Sequence, residues 1–191
     1  MRLIIRKTRE APLRSKLRVP LLLLLLLIVA PVLAQEAQDL DGWRAAKWGM
    51  TESDVLAAFA GEAVRLEKPE HFKDTIGSVA IPKYEIQSTE YRVLFGFNAK
   101  GALSIVQIAP MDNTTLGVSH EVPFGSLENL LTEKYGKPTS AKDERVVRSR
   151  MWRLPRTVIS LNYLFAEFGT LKRIDMLILT YQPQSKEADK A

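Results

Sequence analysis

The chain has 191 residues, with 27 basic and 22 acidic side chains, a formal net charge of +5 and no cysteine. Residues 1–34 hold seven of the basic residues and one of the acidic residues, which leaves 20 basic and 21 acidic residues and a net charge of −1 in the rest of the chain. This balance excludes nucleic-acid binding through a general positive field. The lack of cysteine excludes disulfides, thiolate metal sites and lipid attachment to a cysteine.

The first 34 residues have the pattern of a secretory signal peptide. A basic segment is followed by an apolar run over residues 19–34 that includes seven consecutive leucines. Val32 and Ala34 stand at the −3 and −1 positions of a cleavage site, which predicts a cut between Ala34 and Gln35. We therefore expect a periplasmic or secreted protein with no stable membrane span after cleavage. The alternative is a membrane anchor formed by an uncleaved signal, for which this run is shorter than the roughly 20 residues of a spanning helix.

The first predicted helix covers residues 52–60. Thr51 and Asp54 have the spacing of a capping box, in which each side chain bonds the other residue's backbone amide. Val55 and Phe59 then fall on one helix face, and Gly61 supplies the residue that ends the helix. The pattern predicts a short amphipathic helix packed on a core.

Strands are predicted to follow this helix. Residues 91–98 alternate apolar and polar side chains, which is the period of a β-strand. Residues 98–101 are a hairpin turn, residues 103–108 a returning strand, and residues 83–88 an earlier strand. The first unit is thus a helix and three strands.

The second unit repeats this order after a polar joint over residues 110–121. Leucines at helical spacing predict a helix over residues 126–135 with Ser126 as its cap, ended by Gly136 and Pro138. Strands are predicted over residues 145–154, 158–165 and 171–181, with turns at residues 154–157 and 167–170.

Equal sequence offsets suggest an internal repeat. Gly61 and Gly136 are 75 residues apart, and so are the candidate caps Thr51 and Ser126. The sequence therefore predicts one α+β domain over residues 35–181, built from two tandem helix–three-strand meander units at about 43–110 and 120–181. Its sheet is antiparallel with the helices on one face, and residues 182–191 form a flexible tail.

The helix boundaries resemble those of a group of exported proteins. The Trp-Gly-Met-Thr sequence at the start of the first helix resembles a motif that recurs in small exported bacterial proteins of unassigned function. The doubled helix-plus-sheet plan is similar to beta-lactamase inhibitory proteins and, for each unit, to small outer-membrane assembly lipoproteins. The resemblance implies fold and compartment, without catalytic residues and without beta-lactamase inhibition. It depends on Trp48-Gly49-Met50-Thr51 with Asp54-Val55, and on Tyr135-Gly136-Lys137-Pro138.

The residues that commonly carry catalysis are sparse. His71 and His120 lie in polar stretches 49 residues apart, and we expect both on the surface. A serine precedes His120, but neighbours along the chain rarely face each other as nucleophile and base. No phosphate-binding loop or nucleophile elbow occurs in the sequence. The sequence therefore predicts no catalytic residues, no metal site and no cofactor.

An arginine-rich strand is the candidate binding site. On a strand, Arg148, Arg150 and Trp152 project from one face, and Arg153 follows them. Arginine forks bind carboxylates and phosphates, and a neighbouring tryptophan adds an apolar surface. The alternative is a solvated strand on which arginines maintain solubility while Trp152 packs under a helix.

These features predict an exported, non-enzymatic binding or interaction protein of the periplasm or cell envelope. Its candidate partners are an acidic envelope protein or a phosphate-bearing envelope component. The second hypothesis is a small-ligand or lipid carrier that uses the concave side of the sheet, and the third is a hydrolase. An apolar, hollow surface on the uncovered face of the sheet would favour the carrier, whereas a flat, charged surface there would favour the interaction protein.

Overall fold

The computed structural model describes residues 40–72, 74–113, 117–168 and 172–185, which contain two helices and ten strands. These residues belong to one compact unit. The predicted signal peptide and its cleavage site between Ala34 and Gln35 lie outside the described residues, as do residues 186–191 of the predicted tail. In chain order the elements are β1 Gly42–Trp43, β2 Ala46–Lys47, α1 Glu52–Ala58, β3 Val64–Phe72, β4 Thr75–Ile86, β5 Thr89–Asn98, β6 Leu103–Pro110, α2 Glu121–Tyr135, β7 Ser140–Asp143, β8 Val147–Arg153, β9 Thr157–Phe168 and β10 Lys172–Pro183.

Eight of these strands form one antiparallel sheet, and β1 and β2 form a separate two-stranded hairpin. The order across the large sheet is β3-β4-β5-β6-β10-β9-β8-β7. The junction at its centre pairs Val106, Gln107 and Ile108 of β6 with residues 179–181 of β10. The last described strand therefore lies in the middle of the sheet, and β3 and β7 lie at its edges.

The predicted α+β fold of two tandem helix–three-strand units is wrong. The protein is mostly β, with two helices on a single eight-stranded sheet. The units merge because β6 and β10 are hydrogen-bonded to each other. The prediction also missed β3 and β7, whose exposed edge positions remove the apolar alternation by which a half-buried strand is recognised.

The first helix is capped as the sequence predicts. The Asp54 amide donates to Thr51 Oγ1 at 3.3 Å, and the Thr51 amide donates to Asp54 Oδ2 at 2.9 Å. The second helix begins at Glu121, so Ser126 lies inside it and is not its N-cap. The predicted equivalence of Thr51 and Ser126 as caps is therefore wrong, because the helix accommodates Pro123 in its first turn, where no amide is needed.

The core lies between the two helices and one face of the sheet. Cross-strand partners share a face, so Val93 and Ile108, and Phe95 and Val106, point together toward the helices. Both helices contribute to the same cluster. Its members from the helices and the end of α1 are Val55, Phe59, Phe124, Leu127 and Leu131, and its members from the central and later strands include Trp152, Ile159, Leu161, Tyr163, Leu177, Leu179 and Tyr181.

The opposite face of the sheet also contains buried apolar residues. Leu94 and Ile105 are 5% and 8% exposed, respectively, although neither points toward the helices. Gly96 pairs with Ile105, and a Cβ added at Gly96 would lie 2.4 Å from Ile105 Cγ2. The strands therefore pack closely at this point. In the described ranges, neither helix has the length and apolar character needed to cross a membrane.

Candidate functional site

A cavity of about 400 Å³ lies on the helix-covered side of the sheet. Its walls come from α2, from the β1–β2 hairpin and Leu40 ahead of it, and from β4, β6 and β10. The lining is mainly apolar, with three tyrosines and two cations. It consists of Leu40, Trp43, Arg44, Tyr84, Ile86, Ile108, Leu127, Leu130, Leu131, Lys134, Tyr135, Leu179 and Tyr181.

Arg44, at the turn of the β1–β2 hairpin, is held against three aromatic rings. Its backbone has a φ of 52°, a left-handed conformation that is uncommon for a residue with a side chain. The guanidinium carbon lies 5.4 Å from the ring centre of Trp43, 5.2 Å from that of Phe59 and 5.4 Å from that of Tyr84. These are cation–π distances, so the rings fix the arginine at the wall of the cavity.

The charge of Arg44 is neutralised by Glu62. Arg44 Nη1 donates to Glu62 Oε2 at 2.8 Å, and Nη2 donates to Oε1 at 3.2 Å. This two-bond contact holds the pKa of the Glu62 carboxyl below its ordinary value and raises that of Arg44. Glu62 does not line the cavity. The positive charge that Arg44 places in the wall is therefore already balanced by a carboxylate outside the wall.

Lys134 is the second cation in the wall. It occupies the last turn of α2 and lies with its Nζ 5.1 Å from the ring centre of Tyr135. Among the described residues no carboxylate forms an ion pair with it, and no wall residue is acidic. Lys134 is exposed at the rim of the cavity, and it places there one positive charge that no described residue pairs.

Three phenol groups add hydrogen-bonding capacity to this wall. In the part of the chain that the structure describes, the hydroxyls of Tyr84, Tyr135 and Tyr181 have no protein hydrogen-bond partner. Tyr181 is only 5% exposed. Burial, and then the neighbouring Tyr135 and Tyr84, raise the pKa of Tyr181 well above its ordinary value. Its hydroxyl thus stays protonated and available as a donor at neutral pH.

The predicted binding strand is β8. Its two arginines on the helix side, Arg148 and Arg150, bond carboxylates of neighbouring elements. Arg150 Nε donates to Glu128 Oε1 of α2 at 2.5 Å, and its two Nη atoms bond Asp143 of β7 at 2.8 and 3.1 Å. Arg148 Nη1 lies 2.9 Å from Glu121 Oε1. Both arginines therefore tie neighbouring elements together.

The other two predicted binding residues lie in contrasting places. Trp152 shares the face of Arg148 and Arg150, but it is 1% exposed and donates its indole N–H to the Gly136 carbonyl at 2.9 Å. Arg153 is exposed on the opposite face and forms no ion pair with the described residues. The four residues do not form one accessible patch, so binding by this strand stays a prediction.

A buried polar cluster lies where α2 begins. Asp175 Oδ2 accepts from the Tyr163 hydroxyl at 2.7 Å and from the His120 amide at 3.2 Å. His120 is 2% exposed, so the expectation that it lies on the surface is wrong, whereas His71 is exposed. The cluster fixes the start of the helix on β9 and β10. Among the described residues, no group of three His, Asp or Glu side chains could hold a metal ion.

Sequence reasoning missed the cavity because it is a gap between elements. Its lining residues come from five separate segments of the chain, and most of them have the pattern of ordinary core positions. One signal was available: Tyr84, Tyr135 and Tyr181 place polar hydroxyls at positions that alternation assigns to the core. Asp175, inside an apolar strand, was a similar signal for the buried cluster.

Comparisons with known proteins assign neither a family nor a function. No protein-family model and no curated protein matches the chain. A solved structure of a DUF4309 family protein (YjgB) from Bacillus subtilis is 14% identical and covers 70% of this chain and 78% of that chain, with a TM-score of 0.35. A likeness at this level carries no argument, so functional inference has to start from the cavity.

Proposed function

We propose that this protein is an exported, non-enzymatic binding protein that holds a small, largely apolar molecule in the cavity between α2 and the sheet. The observation that carries the proposal is the cavity of about 400 Å³, whose lining is mainly apolar and includes a few residues with polar groups. Ligand pockets usually combine this size, roughly 300–1,000 Å³, with such a lining.

The partly exposed apolar side chains of the wall support a ligand. Removing apolar surface from water is favourable roughly in proportion to the area covered. Here the wall includes half-buried apolar side chains such as Leu40, Ile86 and Leu130, beside fully buried ones. A bound apolar molecule would cover these side chains and restore their contacts.

The chemistry of the lining supports binding without catalysis. The wall contains no carboxylate, imidazole or aliphatic hydroxyl. These groups supply most of the general bases and nucleophiles of enzymes, although lysine and tyrosine can also serve in those roles. The polar groups of the wall are phenols and cations, which suit recognition of a ligand.

The arginine strand gives the interaction hypothesis less support. Arg150 and Trp152 contact α2 and β7 with the atoms that a partner would need. The pattern of residues 1–34 supports export, and an exported carrier of an apolar molecule is one of the hypotheses that the sequence raises.

Binding is tested with a neutral hydrophobic dye and a matched pair of tryptophan variants. Leu130 lines the cavity, whereas its neighbour Asn129 is exposed on α2 and does not line it. We expect Nile red fluorescence to rise on addition of the wild type and of Asn129→Trp, and to stay low with Leu130→Trp, because the larger ring fills the cavity. Thermal melting of both variants checks that they fold. Equal dye binding by folded forms of both variants, or none by the wild type, would contradict the proposal.

A further inference from the structure

The charge of the cavity identifies the kind of polar group that a ligand can carry. The wall holds two cations and no acid, and one of the cations, Arg44, is neutralised by Glu62. The remaining charge is that of Lys134. The partial negative charge at the C-terminal end of α2 offsets only about half of a unit charge. An amine placed in this cavity would be repelled, whereas an anion would gain a counter-ion.

The phenol groups point to the same kind of ligand. Tyr84, Tyr135 and Tyr181 lie around the cavity with hydroxyls that no described residue engages. An ionised carboxylate only accepts hydrogen bonds, and it can accept several at once. Lys134 and the phenols are all donors. Together they offer hydrogen-bond donors that a carboxylate can accept from and that a neutral apolar molecule would leave unused.

Resting on the proposed function, we infer that the ligand is a single-chain amphiphile with one carboxylate, its chain in the apolar cavity and its carboxylate bonded to Lys134 and the tyrosine hydroxyls. A single negative charge matches the single unpaired cation. A phosphate monoester carries close to two negative charges at neutral pH, so one of them would have no counter-charge beside the apolar part of the wall.

The test compares head groups on one chain length, using the protein expressed from its full sequence. The probes are decanoate, decanol, decylamine and decyl phosphate, each measured by displacement of Nile red. The variants are Lys134→Gln and the control Lys137→Gln, because Lys137 is exposed just beyond α2 and does not line the cavity. We expect the wild type and Lys137→Gln to bind decanoate about fivefold more tightly than decanol, the upper end of what an ion pair with an exposed lysine contributes.

In Lys134→Gln we expect that preference to disappear while decanol binding stays within about twofold of the wild type. A second variant, Tyr181→Phe, should weaken the binding of decanoate and leave the binding of decanol unchanged, because it removes only the hydroxyl.

Three outcomes would overturn the inference. Decanol could bind the wild type as well as decanoate, Lys134→Gln could keep the preference, or decyl phosphate could bind more tightly than decanoate. A lower melting temperature of Lys134→Gln with an unchanged head-group preference would show that Lys134 serves only the end of the helix. If neither decanol nor decanoate binds, the proposed function itself fails.

Discussion

Arg150 and Arg153 lie on the same strand with opposite surroundings. Arg150 has a side chain only 10% exposed, contacts carboxylates on α2 and β7, and places its guanidinium carbon 5.4 Å from the ring centre of Phe124. Arg153 is exposed, and no ion pair is found for it among the described residues. The same residue type is thus structural at one position and solvated three residues later.

We expect Arg150→Met to lower the free energy of unfolding by about 1–3 kcal/mol, because Glu128 and Asp143 lose the group that satisfies them. Arg153→Met is the matched control and should stay within about 0.5 kcal/mol of the wild type. Urea unfolding followed by circular dichroism measures both. A larger loss for Arg153→Met than for Arg150→Met would contradict the structural assignment of Arg150.

The pH dependence of this difference is a further check on Arg150. The hydrogen bond from Arg150 holds the pKa of the Asp143 carboxyl below its ordinary value of 3.8. An acid whose pKa is lowered by folding stabilises the folded state above its unfolded pKa, and this stabilisation is lost as the pH falls through the folded value. The difference in unfolding free energy between wild type and Arg150→Met should therefore be full at neutral pH and shrink as the pH falls below 3.8 through the folded pKa of Asp143. Arg153→Met should show no such change.

At the scale of the elements, two glycines have opposite surroundings. Gly96 faces the side of the sheet away from the helices, where an added Cβ would lie 2.4 Å from Ile105. Gly125 lies inside α2 with open space around the position of a Cβ. An added methyl group would therefore clash at Gly96 and would fit without contact at Gly125.

Gly96→Ala is expected to destabilise the protein by about 1–3 kcal/mol, because the buried Ile105 has to move. Gly125→Ala is expected to stabilise it by about 0.4–1 kcal/mol, since alanine restricts the unfolded chain and favours the helix. Thermal melting of the two variants beside the wild type measures both shifts. Stabilisation by Gly96→Ala would mean that β5 and β6 are less tightly packed there than the structure has them.

Apolar runs and alternation predicted β5, β6, β9 and most of β10 correctly, because each has at least one face on the core. Edge strands cannot be predicted in this way. All four residues of β7 are exposed, and β3 contains Pro69. The pairing of β6 with β10 could not be predicted either, since it depends on two strands that are far apart in sequence. The cavity depends on the same long-range arrangement.

At the scale of the whole molecule, one core spans the sheet. Residues of β5, such as Val93 and Phe95, belong to the same buried cluster as Leu161 of β9 and Leu177 of β10. Both helices contribute to it as well. A core that is shared in this way couples the two sides of the β6–β10 junction.

We therefore expect the amides of β5 and β9 to exchange hydrogen with the same free energy, because both open only on global unfolding. Native-state hydrogen exchange followed by nuclear magnetic resonance measures this quantity residue by residue. The exposed edge strand β7 is the internal control and should exchange at lower free energy. Clearly different values for β5 and β9 would show that the two sides unfold separately.

The position of β10 determines when the protein can finish folding. The pairing of Ile108 with Leu179 joins residues 71 positions apart, and β10 lies between β6 and β9. A chain that emerges N-terminus first, from a ribosome or a translocation channel, exposes β6 and β9 with unpaired edges until β10 is released. Such edges are templates for aggregation. Loss of β10 would accordingly split the sheet at its centre and leave two open edges, whereas loss of β7 would only narrow it.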